Sequence, residues 1–265
     1  MPSMLISVIV ATYNRPDALR LVIQSLLGQT DRNYEILIAD DGSKQDTAEL
    51  VESFQATSNI AIHHIWQTDD GFRLSRIRNL ATKQAKGEYL IFLDGDCIVQ
   101  PDFVTQHRKL AKPQYMVTGS RILLEKQLTE RLCTSQNWLF DKFKSEAIRH
   151  RLNGQVNKIL PLYIKLPWAF SRGYSDFVWR RIKGCNLACW KADAESIHGF
   201  DEEMVGWGHE DADFVFRLHQ QGVRRTSGAW ATEVLHLWHK MADKATAEKN
   251  AEIVRAKILA KRTIA

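Results

Sequence analysis

The chain has 265 residues, 45% apolar and 25% charged, with a formal charge of +5. That composition excludes general disorder and leaves room for one large domain or two modest ones with a substantial core. The mild positive balance permits an anionic partner, such as a nucleotide, a phosphate or an acidic membrane, without requiring one.

MLISVIVATYNRP opens with a short β-branched run over residues 4–11 and stops at Thr12, Asn14 and Pro16, which predicts a buried strand. It has no basic leading region and reads as a strand and not as a signal peptide. No segment reaches the ~18 apolar residues of a membrane helix, so the expected compartment is the cytosol. From Asp17, Leu19, Val22, Ile23, Leu26 and Leu27 recur at helical spacing up to Gly28. YEILIAD (34–40) predicts a second strand, DDGS (40–43) a turn, and DTAELVESF (46–54) a helix. IAIHHIW (60–66) predicts a third strand, LSRIRNLATKQA (74–85) a helix, and KGEYLIFL (86–93) a fourth strand. Strand and helix alternate over this stretch, which predicts an α/β fold with a mostly parallel sheet flanked by helices.

Beyond about residue 120 the pattern weakens. Residues 141–183 are rich in lysine, arginine and aromatics, among them Arg149, Arg151, Trp168, Phe170, Arg172, Arg180 and Arg181. Such an insertion reads either as a solvated face with a few core aromatics or as an acceptor-binding or membrane-surface segment. The tail, 242–262, reads as an amphipathic helix. Four cysteines do not make a disulfide scaffold. Cys185 and Cys189 with His236 and His239 suggest zinc, but C-x3-C and H-x2-H depart from the usual spacing, and this remains a minor reading.

In open parallel sheets, ligands bind outside the carboxyl ends of the strands. Three strand ends are polar: TYNRP (Thr12, Tyr13, Asn14, Arg15), ADDGS and LDGDC. Asp40, Asp41, Asp94 and Asp96 should converge on one crevice beside Tyr13. No G-x-G-x-x-G follows the first strand and no phosphate-binding G-x-x-x-x-G-K-[ST] occurs, so dinucleotide oxidoreductase and P-loop readings have little support. Tyr13 is suited to stack on a base and Asp40 to accept from a base N–H. The alternative is that Tyr13 packs on the sheet rim and Asp40 caps the next turn. Asp94 and Asp96, at i and i+2, would point to one side of an extended strand, with Gly95 admitting a ligand between them. Hard oxygen ligands of this kind suit Mg²⁺ or Mn²⁺ and a diphosphate.

ATYNRPDALRLVIQSLLGQT, ILIADDGS and LDGDC together resemble the nucleotide-binding half of glycosyltransferase family 2, over roughly residues 4–120. KGCNLACWKADAESIHGFDEEMVGWGHEDADFVFRL (183–218) resembles the β-1,4-galactosyltransferase superfamily and bacterial chondroitin-type polymerases. The resemblance implies one continuous GT-A domain: a nucleotide-sugar-binding half (1–120) and an acceptor-side, catalytic half (121–265). It implies inverting transfer of a hexosyl residue from a UDP-sugar to a saccharide hydroxyl in bacterial-type surface glycan synthesis, such as lipopolysaccharide. Galactose or N-acetylgalactosamine is favoured; glucose, N-acetylglucosamine and glucuronate are the alternatives.

Carried over residue by residue, the resemblance implies that Tyr13 and Asp40, with the strand end Thr12–Arg15, hold the nucleotide. Arg73 would contact it, assisted by Asn79. Asp94 would face ribose and metal, and Asp96 would ligate Mn²⁺ (or Mg²⁺). HLWH (236–239) falls where the galactosyltransferases have a Met-x-x-His metal pair, so His239 is the expected ligand and His236 stands in for methionine. Trp207 would wall the sugar site, and Glu210 and Asp211 would lie at the reacting centre, with Asp211 as base. His209 replaces a common glycine, and its role stays open. The expected partners are the UDP-sugar and a saccharide acceptor, lipid-linked in one version with peripheral contact at the inner membrane face. No nucleic acid is expected. Two competing classes are a nucleotidyltransferase, which lacks its lysine-bearing glycine loop here, and a non-catalytic carbohydrate-binding scaffold.

Overall fold

The computed structural model describes residues 4–135, 137–166, 173–174, 176–179, 182–240 and 246–262. The strands are β1 (Ile6–Thr12), β2 (Tyr34–Asp40), β3 (Ile62–Trp66), β4 (Tyr89–Asp94), β5 (Cys97–Ile98), β6 (Tyr115–Thr118), β7 (Arg121–Leu123), β8 (Gly173–Tyr174), β9 (Asn186–Trp190), β10 (Arg224–Ser227) and β11 (Val234–His236). The helices are α1 (Pro16–Leu27), α2 (Gln45–Gln55), α3 (Leu74–Gln84), α4 (Phe103–Leu110), α5 (Lys126–Thr134), α6 (Phe140–Leu152), α7 (Leu160–Tyr163), α8 (Lys191–Ser196), α9 (Glu210–Gln220) and α10 (Ala247–Arg262).

Every residue of β1 and β2 is buried, as expected of parallel strands covered on both faces. Successive side chains go to opposite sides. Val8 and Val10 join a core with α1 residues such as Leu19 and Val22. Ile9 joins a second core with Ile77 and Ala81 of α3 and Phe214 of α9. The main sheet has the order β3-β2-β1-β4-β9-β6-β10-β8. Strands β3, β2, β1 and β4 are mutually parallel, β9 runs antiparallel to β4 and β6, and β10 is again parallel to β6. Chain order reverses direction across the sheet between β1 and β4, the kind of position where open α/β sheets bind ligands beyond the carboxyl ends of their strands.

The alternating pattern of residues 4–94 places the predicted elements within a few residues of those observed. The third strand begins at Ile62 and not at residue 60, because residues 59–61 form its approach from α2. In the weakly patterned half, β6, β9 and β10 enter the same sheet. A second sheet of order β5-β11-β7 lies beside it and brings the chain's late segment back to the turn after β4. Of the basic-aromatic tract, Phe143 and Phe177 pack in or against the core. Trp168, Phe170, Arg172, Arg180 and Arg181 lie outside the described residues, as do 242–245 of the predicted tail helix.

Candidate active site

Asp94 ends β4, and the chain turns at Gly95–Asp96 before β5. The two carboxylates therefore do not share one side of an extended strand, and they take different partners. Gly95 also does a different job from the one expected. A Cβ there would lie 2.8 Å from the Ala11 carbonyl and 3.1 Å from Thr12 Cβ, so the glycine lets the turn press against β1. Its N–H donates to the Ala11 carbonyl at 2.7 Å.

Asp96 faces the histidines. His239 Nε2 lies 3.4 Å from Asp96 Oδ2, and His236 Nε2 lies 3.8 Å from Oδ1. His236 is delivered by β11, which adds to β5 with His236 opposite Cys97. The three side chains offer one ligand atom each within 4.8 Å of one another and could hold a metal ion. A carboxylate and two imidazoles are a donor set that a divalent cation such as Mn²⁺ accepts. Burial lowers the His236 pKa, against the upward pull of Asp96; a neutral imidazole is the ligating form.

Asp94 turns to Arg78, a residue that the reading of the sequence passed over. Arg78 lies on α3 and is 1% exposed. Its guanidinium donates to Asp94 Oδ1 at 2.8 Å and to the Gly184 carbonyl at 3.1 Å, and reaches Glu210 Oε1 at 3.5 Å. It also stacks 5.1 Å from the Phe200 ring. The sequence held a signal for it: residue 78 falls on the apolar stripe of Leu74, Ile77 and Ala81, where an arginine needs a buried counter-charge.

Glu210 and Asp211 occupy the first turn of α9, where the helix dipole favours acidic groups. The chain enters that turn with Gly206, Gly208 and His209 at positive φ. His209 is a left-handed N-cap whose ring meets Trp179 edge-on. Glu210 is pushed up to about 7, first by burial and then by the Asp211 charge, with Arg78 opposing. Asp211 Oδ2 accepts from the Gly184 N–H at 2.8 Å. Asp94 is likewise raised, first by burial, against Arg78; Asp96 and His236 also act on it. Glu210, Arg78, Asp94, Asp96 and the two histidines are thus one electrostatically connected cluster.

Other expected site residues sit elsewhere or have partners of their own. Asp40 is 1% exposed; one oxygen accepts from the Ser43 N–H at 2.8 Å, and the other lies 2.9 Å from His64 Nε2. That is the turn-capping alternative. Tyr13 is half-exposed, and its hydroxyl donates to Asp69. Thr12 Oγ1 is buried without a hydrogen-bond partner. Asn14 adopts φ 48°, and its side-chain oxygen accepts from the Lys44 N–H. Arg15 pairs with Asp17. The Arg73 side chain is held by Asp70, while its backbone N–H donates to Asp41. Asn79 clamps the Phe200 turn through the Phe200 carbonyl and N–H and also donates to Glu202, so both of its amide hydrogens are engaged. Trp207 is half-exposed on a loop that α10 pins: Thr246 Oγ1 donates to the Trp207 carbonyl, and Asn250 Nδ2 to the Val205 and Gly208 carbonyls. The zinc set does not assemble. Cys189 belongs to the core of Leu90, Leu187 and Phe92, whereas Cys185 belongs to the other core. Among the described residues, no helix is long and apolar enough to cross a membrane.

Comparisons agree with this architecture. The family model described as "Glycosyl transferase family 2" matches residues 7–175, and that of the "N-terminal domain of galactosyltransferase" matches residues 169–240. A chondroitin synthase of Escherichia coli is 30% identical over 85% of this chain and 34% of its own length. A validoxylamine A glucosyltransferase of Streptomyces hygroscopicus is 28% identical over 88% of this chain and 56% of its own. The chain thus spans about a third to somewhat over half of these relatives. Among solved structures, S. aureus TarS superposes with a TM-score of 0.64 at 16% identity, covering 97% of this chain and 40% of TarS. A mannosyltransferase from Pyrobaculum calidifontis, in complex with GDP-Man and Mn2+, gives 0.60 at 17%, covering 89% and 58%. The fold is GT-A, and the chain belongs to glycosyltransferase family 2.

Proposed function

We propose that this chain is an inverting, metal-dependent hexosyltransferase that moves a sugar, galactose or N-acetylgalactosamine in first place, from a UDP-sugar to a hydroxyl of a saccharide acceptor. The observation that carries the proposal is Asp96 met by His236 and His239, beside two carboxyls at the start of α9. Those three side chains would hold Mn²⁺, or Mg²⁺ less readily, since imidazole suits Mn²⁺ better than the oxygen-seeking Mg²⁺. The bound ion would stabilise charge on the departing diphosphate.

The chain's own groups have the remaining roles. The rim at Thr12, Tyr13, Asn14 and Arg15 would hold the nucleoside, with the ring of Tyr13 available for stacking. Asp94, oriented by Arg78, would face the ribose. Trp207 would wall the sugar. Asp211, held by the Gly184 N–H, would take the proton of the attacking hydroxyl, an effect typically worth ~10²–10⁴-fold. Glu210, with its pKa near neutrality, would hold an acceptor hydroxyl. Relatives named as a chondroitin synthase and a glucosyltransferase using UDP-Glc, with the same fold in TarS in complex with UDP-GlcNAc, support a nucleotide-sugar donor and set the panel to test.

The exposed side chains of Leu139, Ile148, Leu152, Leu160 and Ile164, set among Lys142, Arg149 and Arg151, support docking on an anionic membrane with a lipid-linked acceptor. Cytoplasmic residence at the inner membrane face belongs to the same proposal. The deciding experiment is UDP release from a panel of UDP-sugars with Mn²⁺. One sugar should be turned over by wild type and not by Asp96→Ala. Equal rates for the two proteins would defeat the reading.

A further inference from the structure

Directly under the Asp96 group lies a second cluster of ligating atoms. Cys97, first residue of β5, is fully buried, and Cys185, in the turn before β9, is 4% exposed. Both are free thiols. Cys97 Sγ lies 3.5 Å from Asp96 Oδ1, and Arg121 Nη1 lies 3.9 Å from Cys185 Sγ. His236, paired with Cys97 across β5 and β11, completes the group. The two sulfurs and one imidazole nitrogen lie within 4.8 Å of one another. Nothing in the proposed transfer reaction uses either sulfur.

We infer that Cys97, Cys185 and His236 form a binding site for a thiophilic divalent ion such as Zn²⁺, with Asp96 within reach as fourth donor. Two thiolates and an imidazole are a soft-to-borderline set that prefers Zn²⁺ or Co²⁺ to Mn²⁺. On binding, each thiol gives its proton to solvent, so two protons leave and no electron moves. The site shares His236, and through Cys97 also Asp96, with the group facing the crevice. Occupation by a thiophilic ion therefore withdraws His236 from the harder ion, and the two occupancies exclude each other. Only this last consequence rests on the proposed Mn²⁺ reading.

Co²⁺ titration of the full chain tests the site without any turnover. Wild type should develop the intense near-ultraviolet absorption of thiolate-to-Co²⁺ charge transfer, saturating with added metal and abolished by Zn²⁺. Cys97→Ser and Cys185→Ser should each lose the band or weaken Co²⁺ binding more than about 10-fold, with folding checked by circular dichroism. Cys133→Ser and Cys189→Ser should keep it. Absence of the band in folded wild type overturns the proposal, even where a variant fails to fold. So does a band that survives Cys97→Ser or depends on Cys133. Paramagnetic resonance of Mn²⁺ separates the two readings: protein that shows the Co²⁺ band but never binds Mn²⁺ keeps this site and defeats the Mn²⁺ one. Protein that binds both ions at once overturns their exclusion.

Discussion

Arg78→Met removes the buried guanidinium while keeping much of its length. Asp94, Glu210 and the Gly184 carbonyl lose a donor at 2.8, 3.5 and 3.1 Å. Breaking a buried ion pair from one side typically costs about 3–5 kcal/mol, because the partner charge stays behind. Asp94 is about one-third exposed, so water reaches it and the low end, about 3 kcal/mol, is expected. That is a large share of the ~5–15 kcal/mol that stabilises a typical domain. The loss also carries a pH signature. Arg78 lowers both carboxyls, which burial has raised, Glu210 to about 7. Without it their folded-state values climb further above the unfolded ones. A raised carboxyl carries no penalty where it is protonated in both states; the penalty grows once pH passes the unfolded value of about 4 and is complete above the folded value. Urea midpoints at pH 5 and pH 8 read this directly, and the variant should fall further below wild type at pH 8. A loss below about 1 kcal/mol, or one equal at both pH values, would refute the reasoning.

In wild type, the rise of Glu210 from 4.5 to about 7 should lower stability as pH climbs through that window, by at most roughly 3 kcal/mol. Thermal melts of Glu210→Gln should be flatter there. Calorimetry with UDP should show affinity falling about 10-fold or more when a chelator removes metal; His239→Ala should lose most of that response and Asp96→Ala all of it. Asn250→Ala strips the Val205 and Gly208 carbonyls of their donor at a cost of about 1–3 kcal/mol. It should expose the Trp207 loop to limited proteolysis and raise KM for the donor more than it lowers kcat. Leu152→Asp with Ile148→Asp should abolish co-flotation with anionic liposomes at low salt, while a soluble acceptor is still glycosylated.

Legibility followed the physics of local pattern. The half with β1 to β4 could be read because parallel strands buried on both faces leave unbroken apolar runs such as YEILIAD, and amphipathic helices announce themselves by spacing. The meeting of Asp96 with the HLWH pair was expected from the family resemblance, and the three side chains do come together. What escaped depended on tertiary placement. Asp94 and Asp96 look like a matched pair until the turn at Gly95 sends them to different partners. Asn79 looks polar and available, yet its amide hydrogens go to the Phe200 carbonyl and to Glu202. Cys97 and Cys185 meet only because β5 and the turn before β9 flank the same strand end, which no spacing rule encodes. The pairs of Lys257 with Asp213 and Asp201 fasten α10 to α9 and to the segment that precedes it, a contact that helical periodicity alone does not disclose.

The return of β11 to β5 has a temporal implication. Asp96 leaves the ribosome long before His236 and His239 are made, so a nascent fragment that stops short of Val234 carries the β1–β4 strands but not the histidines. On the proposed function, such an intermediate would meet nucleotides without metal assistance. Competence for the proposed transfer would then arrive late and abruptly, when the last small strand slots into place.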